Sequence, residues 1–153
     1  MITIRSRLRK QPVDQEQLRA FIQQALDLLD YGDFSLSVLL TTDQGIRLYN
    51  RQFRAKDKPT DVLSFPFYPE LRAGQRIRAK TAEERYLGDI IISLEYVARD
   101  ARKKGLAAND WLEQIVIHAI CHLLGYDHIN DRDYRAMRAK ESFLLKKIRR
   151  KLE

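Results

Sequence analysis

Residues 2–9 alternate, with Ile2, Ile4, Ser6 and Leu8 on one side, which predicts a short strand with one buried face. From about Asp14 to Leu29 the apolar spacing becomes three and four. Leu18, Phe21, Ile22, Ala25, Leu26 and Leu29 form the stripe of an amphipathic helix. Asp33 and Ser35 punctuate, and Phe34, Leu36, Val38 and Leu40 alternate as a second strand. Thr42 or Asp43 suits the N-cap of a helix that turns Ile46, Tyr49 and Phe53 inward and is ended by Pro59. Asp61 to Phe65 reads as a short, well-buried strand closed by Pro66. Residues 67–85 are polar and basic, with five Arg or Lys between Arg72 and Arg85, and form the expected mobile loop.

Ile90, Ile91 and Ile92 follow Gly88 as another strand. Ser93 can cap a helix over 94–104, and Gly105 stops it. Between about Asn109 and Leu124 the polar face almost vanishes, so this helix is expected at the centre of the fold, with Gly125 as its left-handed terminator. A last helix over about 131–151 should bury Tyr134, Met137, Leu144, Ile148 and Leu152. Strands interleaved with helices predict an α+β fold: a mixed sheet of about four strands covered by helices, with one buried central helix. At 153 residues, a single domain over 1–153 is expected.

Charge and composition narrow the classes. Lys and Arg number 28 against 21 Asp and Glu, a formal charge of +7. Such a balance admits a polyanion as partner without requiring one. One Cys excludes an internal disulfide framework and Cys-rich zinc modules, which fits a reducing cytoplasm. No stretch approaches the roughly 20 apolar residues of a membrane span, and the N-terminus lacks the apolar block of a signal peptide.

All three His of the chain fall in one window, His118, His122 and His128. Residues four apart on a helix share a face, so His118 and His122 can point at one metal ion. Gly125 lets the chain turn so that His128 can return as a third ligand. Three imidazoles leave one tetrahedral position open, as in a catalytic zinc site. Two unpaired imidazoles on so apolar a helix would be costly to bury, which favours a metal over coincidence. The spacing matches part of the metzincin pattern, a zincin-like arrangement, but the proteases' Glu after the first His is here Ala119. Peptide hydrolysis by that route is not expected. Cys121 reads as a small core residue. Asp127 is either a turn residue or the orienting partner of a ligand His.

A second cluster spans Asn50 to Pro66. Arg54 can clamp a phosphate with its planar fork, or be a solvated helix terminus, or pair with Asp61. Taken in order, Asn50 to Pro66, Leu87 to Ser93 and His118 to His128 resemble the YbeY family of rRNA maturation factors, single-strand-specific metallo-endoribonucleases, over essentially the whole chain. The resemblance implies one zinc ion per chain on His118, His122 and His128, and a catalytic role for Arg54 beside His118. The family usually has Gly and Leu where this chain has Ala119 and Cys121, which bears on packing beside the metal. The resemblance further implies cytoplasmic work on ribosomal RNA, including the small-subunit 3′ end, with assembly proteins as partners, in ribosome quality control. Neither a membrane nor DNA is expected as a partner.

Metal-assisted cleavage of single-stranded RNA is therefore the expected chemistry. Metal-activated water or the RNA's own 2′-hydroxyl would attack, and Arg54 would hold the scissile phosphate. The rival readings are a non-catalytic, zinc-containing assembly factor that binds RNA or a ribosomal protein, and a metallohydrolase of small esters or peptides. The stretch Arg132–Glu153 holds nine Lys or Arg against three acids, +6 of the chain's +7. It is either a phosphate-binding face or a solvated one.

Overall fold

The computed structural model describes residues 1–10, 12–127 and 129–152, with side chains up to Arg149. The elements are β1 (Ile2–Ser6), α1 (Gln15–Leu28), β2 (Ser35–Thr41), α2 (Asp43–Arg54), β3 (Val62–Pro66), β4 (Tyr86–Ser93), α3 (Leu94–Lys104), α4 (Ala108–Leu123) and α5 (Asp131–Leu152). The strands form one mixed sheet in the order β1-β2-β4-β3. β2 runs parallel to both β1 and β4, and β3 is antiparallel to β4 at the edge. The architecture is the expected α+β one. No described helix is long and apolar enough to cross a membrane.

Local chemistry sets the helix ends. The Asp14 carboxylate accepts from the backbone N–H groups of Glu16 and Gln17 and caps α1. Thr42, not Asp43, caps α2, its Oγ1 accepting from Gly45 N–H at 3.1 Å. The Ser93 hydroxyl caps α3 and donates to Asp43 at 2.9 Å, so one residue serves two helix starts. Gly105 closes α3 in the left-handed region.

One sheet face carries Ile4, Leu36, Val38, Leu40, Ile90 and Ile92 into the main core with α1 and α4. Eight residues of α4 are buried, from Leu112 to Leu123, which makes it the central helix. Its other side is covered by α5 through Met137, Leu144 and Ile148. The opposite sheet face holds a small cluster of Leu63 and Ile91 under Ile46 of α2.

Several expectations are corrected. Phe53 and Tyr134 are 55% and 51% exposed, because α2 seats on the sheet mainly through Ile46 and α5 through Met137, Leu144 and Ile148. The Leu152 side chain lies outside the described residues. β3 buries only Leu63, being the edge strand. α2 ends at Arg54, well before Pro59, and is closed by Ala55, which takes a left-handed conformation (φ +56°). The loop over 67–85 is tied down rather than loose. Leu71, Ile77 and Ala79 pack on the core, and Arg76 donates to the carbonyls of Leu29 and Asp30 at 3.1 and 2.7 Å while lying over the Tyr31 ring.

This loop crosses the end of α4 at Gly125, whose φ is +91°. A Cβ there would stand 2.4 Å from the Leu71 carbonyl oxygen and 2.8–2.9 Å from the Arg72 backbone. Gly125→Ala combines backbone strain with collision against rigid main chain, and should cost about 2–4 kcal/mol. Urea unfolding should show a lower midpoint at unchanged slope; an unshifted midpoint would mean that the loop does not pack on this turn.

Candidate metal and catalytic site

α4 sets His118 and His122 one turn apart, on the face that the core leaves half-buried. Their rings meet edge to face with centroids 4.6 Å apart, and the two Nε2 atoms stand 3.1 Å apart. Behind His118, its Nδ1 lies 3.3 Å from Oε2 of Glu141 on α5. A carboxylate there draws the imidazole proton to Nδ1 and leaves the Nε2 lone pair facing His122. Two imidazole nitrogens at tetrahedral zinc, each about 2.0–2.1 Å from the metal, would stand about 3.3 Å apart. The observed separation and the carboxylate behind one ligand fit such an ion. Among the described residues no third His, Cys, Asp or Glu completes a group. The expected third ligand, His128, lies outside the described residues.

Glu141 escaped the sequence reading, yet it carried a signal. Met137, Leu144 and Ile148 are the buried stripe of α5, and Glu141 occupies the inward position between them. A lone acid on an apolar stripe needs a partner, and His118 is that partner. Asp127 is half-buried past the end of α4. On His118, the carboxylate in contact is that of Glu141.

Cys121 sits fully buried in the core, as expected. Burial first, then the charge of Glu141, pushes its thiol up to about 12. It faces the core between the two His and behaves there as a small apolar residue. Ala119 is likewise fully buried.

Arg54 ends α2 on the exposed side of the edge strand. Its Nη2 donates to the Ser64 carbonyl at 2.8 Å, and the guanidinium lies 5.3 Å from the Phe65 ring centroid. The pairing with Asp61 does not form. Asp61 Oδ1 instead accepts from Val62 N–H at 2.7 Å and Thr60 Oγ1 at 3.2 Å. Among the described residues no carboxylate within 4 Å neutralises Arg54, so most of its fork remains available to an anion. Arg54 does not line the cleft beside His118, whereas Asp61 does. The structure therefore gathers His118, His122 and Glu141, brings Asp61 to the same cleft, and keeps Arg54 outside its walls.

Comparison with known proteins identifies the lineage. A family model described as endoribonuclease YbeY matches residues 3–149. An endoribonuclease YbeY from Aquifex aeolicus is 36% identical over 147 residues, 95% of this chain and 91% of that one. The human endoribonuclease YbeY is 32% identical over 150 residues, covering 98% of this chain and 89% of its own. A Thermotoga maritima protein solved in solution shares the fold with a TM-score of 0.60, at 24% identity over 99% of this chain and 93% of that one. By the reach of the family model and the identity of relatives matched nearly end to end, this chain belongs to the endoribonuclease YbeY family.

Proposed function

We propose that the chain is a zinc-dependent endoribonuclease that cuts single-stranded RNA, acting in ribosomal RNA processing at the small-subunit 3′ end and in ribosome quality control. Its family makes it a nuclease, a hydrolase of phosphodiester bonds. The observation that carries the zinc reading is the pair of Nε2 atoms 3.1 Å apart with Glu141 behind one of them. His118 and His122 would hold the ion together with His128. Zinc bound there would polarise a phosphate oxygen and lower the pKa of a water toward about 7.

The other steps belong to the chain's own groups. Glu141 holds the His118 ring in the orientation that presents Nε2. Arg54, projecting beside the edge strand, would grip a nonbridging phosphate oxygen pair and offset charge as it grows on phosphorus. The apolar bed of α4, with Ala119 and Cys121 buried, keeps both imidazoles fixed from below.

Metal analysis of the purified chain should return one zinc per molecule. Cleavage of single-stranded RNA should exceed that of duplex RNA and stop on chelation. Full zinc occupancy without turnover would instead favour a non-catalytic assembly factor. Glu141→Gln keeps the shape and removes the charge behind His118, so zinc affinity should fall about 10- to 100-fold in competition with a chromogenic chelator. Unchanged affinity would remove Glu141 from the site.

The basic face of α5 supplies the second contact with RNA. Arg132, Arg135, Lys146, Lys147 and Arg149 are all exposed. Replacing Lys146 and Lys147 by Ala should lower RNA affinity and flatten the plot of log affinity against log salt by about one to two units. An unchanged slope would return this face to plain solvent exposure.

A further inference from the structure

Beside His118 a cleft of about 360 Å³ opens between α4 and α5. Each helix offers it one face at spacings of three, four and seven, including Trp111, Gln114 and His118 from α4 and Tyr134, Arg138 and Glu141 from α5. Asp61, at the start of the edge strand, also lines it. The cleft is large enough for one nucleobase and too small for a folded RNA element.

Its chemistry suits a base rather than a phosphate. Apart from the proposed ion at His118, two carboxylates, Asp61 and Glu141, face one cation, Arg138, so the far wall offers a second phosphate no net positive charge. Tyr134 is 51% exposed and has the Arg138 guanidinium 5.9 Å from its ring centroid, an aromatic and a planar cation ready to stack on a ring. The Trp111 wall holds a buried indole N–H that is the one such polar atom without a hydrogen-bond partner among the described residues. Asp61 spends Oδ1 on the Val62 N–H and the Thr60 hydroxyl, which leaves Oδ2 as an acceptor. An acceptor-only carboxylate favours the exocyclic amino group of adenine, cytosine or guanine over the ring N3–H of uracil, which lies between two carbonyls whose lone pairs repel it.

We infer that this cleft is a nucleobase subsite that seats the nucleotide next to the scissile phosphate and favours bases bearing an exocyclic amino group, with Asp61 as the selecting residue and Tyr134 as the stacking one. The inference rests on the endoribonuclease reading of the same site.

Trp111 is the only Trp of the chain, so its fluorescence reports occupancy of the cleft directly. Titration of the zinc-loaded full chain with AMP, CMP, GMP and UMP should give binding of the first three about tenfold tighter than UMP. Asp61→Asn keeps an oxygen for Val62 and puts an amide NH2 in place of Oδ2. It should erase that ratio, because the amide NH2 can donate to a uracil carbonyl that the carboxylate repelled. Tyr134→Ala, at an exposed position, should weaken all four nucleotides about tenfold without altering the ratio. Equal affinities in the wild type, or a ratio untouched by Asp61→Asn, would overturn the subsite. RNA cleavage measured on the same preparations separates the two readings. Normal cleavage with no nucleotide preference removes the subsite alone, whereas absent cleavage with zinc bound removes the endoribonuclease reading and the subsite with it.

Discussion

His118→Ala should reduce kcat/KM for single-stranded RNA by about 10³-fold or more and leave the purified protein with well under one zinc per chain. The reasoning starts from the ring's two nitrogens. Nε2 is one of two imidazole nitrogens 3.1 Å apart, and Nδ1 lies against Glu141, so the substitution removes a proposed ligand and strands the carboxylate beside it. Loss of a single preorganised electrostatic contact at a reacting centre already costs about 10²- to 10³-fold, and here the contact would be to the proposed ion on which the chemistry would depend. The fold should survive. His118 is part-exposed, and the apolar surround of α4 is supplied by Leu112, Ile115, Val116, Ile117 and Ile120. A stranded Glu141 that is 17% exposed should cost about 1–2 kcal/mol, lowering the melting temperature by a few degrees while far-UV circular dichroism stays unchanged. Wild-type turnover in a zinc-poor His118→Ala protein would sink the metal-centred account.

The parts of this arrangement that were legible in the chain are those written in local periodicity. The three-and-four spacing from Leu18 to Leu26, the alternation from Leu36 to Leu40 and the nearly all-apolar run of α4 each describe one element's burial, and each element forms close to where its pattern lies. Thr42, Ser93 and Gly105 act on neighbours within a few residues, so their capping is also visible locally. What periodicity misses is which neighbour covers a face. Tyr49 and Phe53 continue the inward stripe of α2; Ile46 is buried and Tyr49 packs half-buried against the same cluster, but Phe53 ends at the surface beside Phe65 and Tyr49. The loop over 67–85 looked unstructured because its anchors are remote in sequence, as between Arg76 and the carbonyls of Leu29 and Asp30. The site divides in the same way. The His pair is a local pattern of four residues, whereas Glu141 meets His118 across 23 residues and a change of helix. Asp61 reaches the same cleft from another element altogether.

Arg54→Ala should lower kcat for single-stranded RNA by about 10²- to 10³-fold while zinc content stays at the wild-type level. That combination distinguishes it from His118→Ala, since Arg54 stands outside the imidazole pair and its loss leaves the proposed ligands in place. An arginine that gripped substrate and transition state equally would raise KM alone. One that meets charge growing on phosphorus lowers kcat, and the second pattern is the one expected. The side chain is exposed and tied to the body of the protein by one bond to the Ser64 carbonyl and by its stacking near Phe65. Removing it should therefore leave the melting temperature within about 2 °C of wild type. Arg54→Lys adds a finer test. Lysine restores the positive charge but lacks the planar fork, and it has one ammonium with which to serve either the Ser64 carbonyl or a phosphate. It should recover about tenfold of the lost rate and no more. Full recovery would reduce the role of Arg54 to simple charge, and wild-type kinetics in Arg54→Ala would remove it from the reaction.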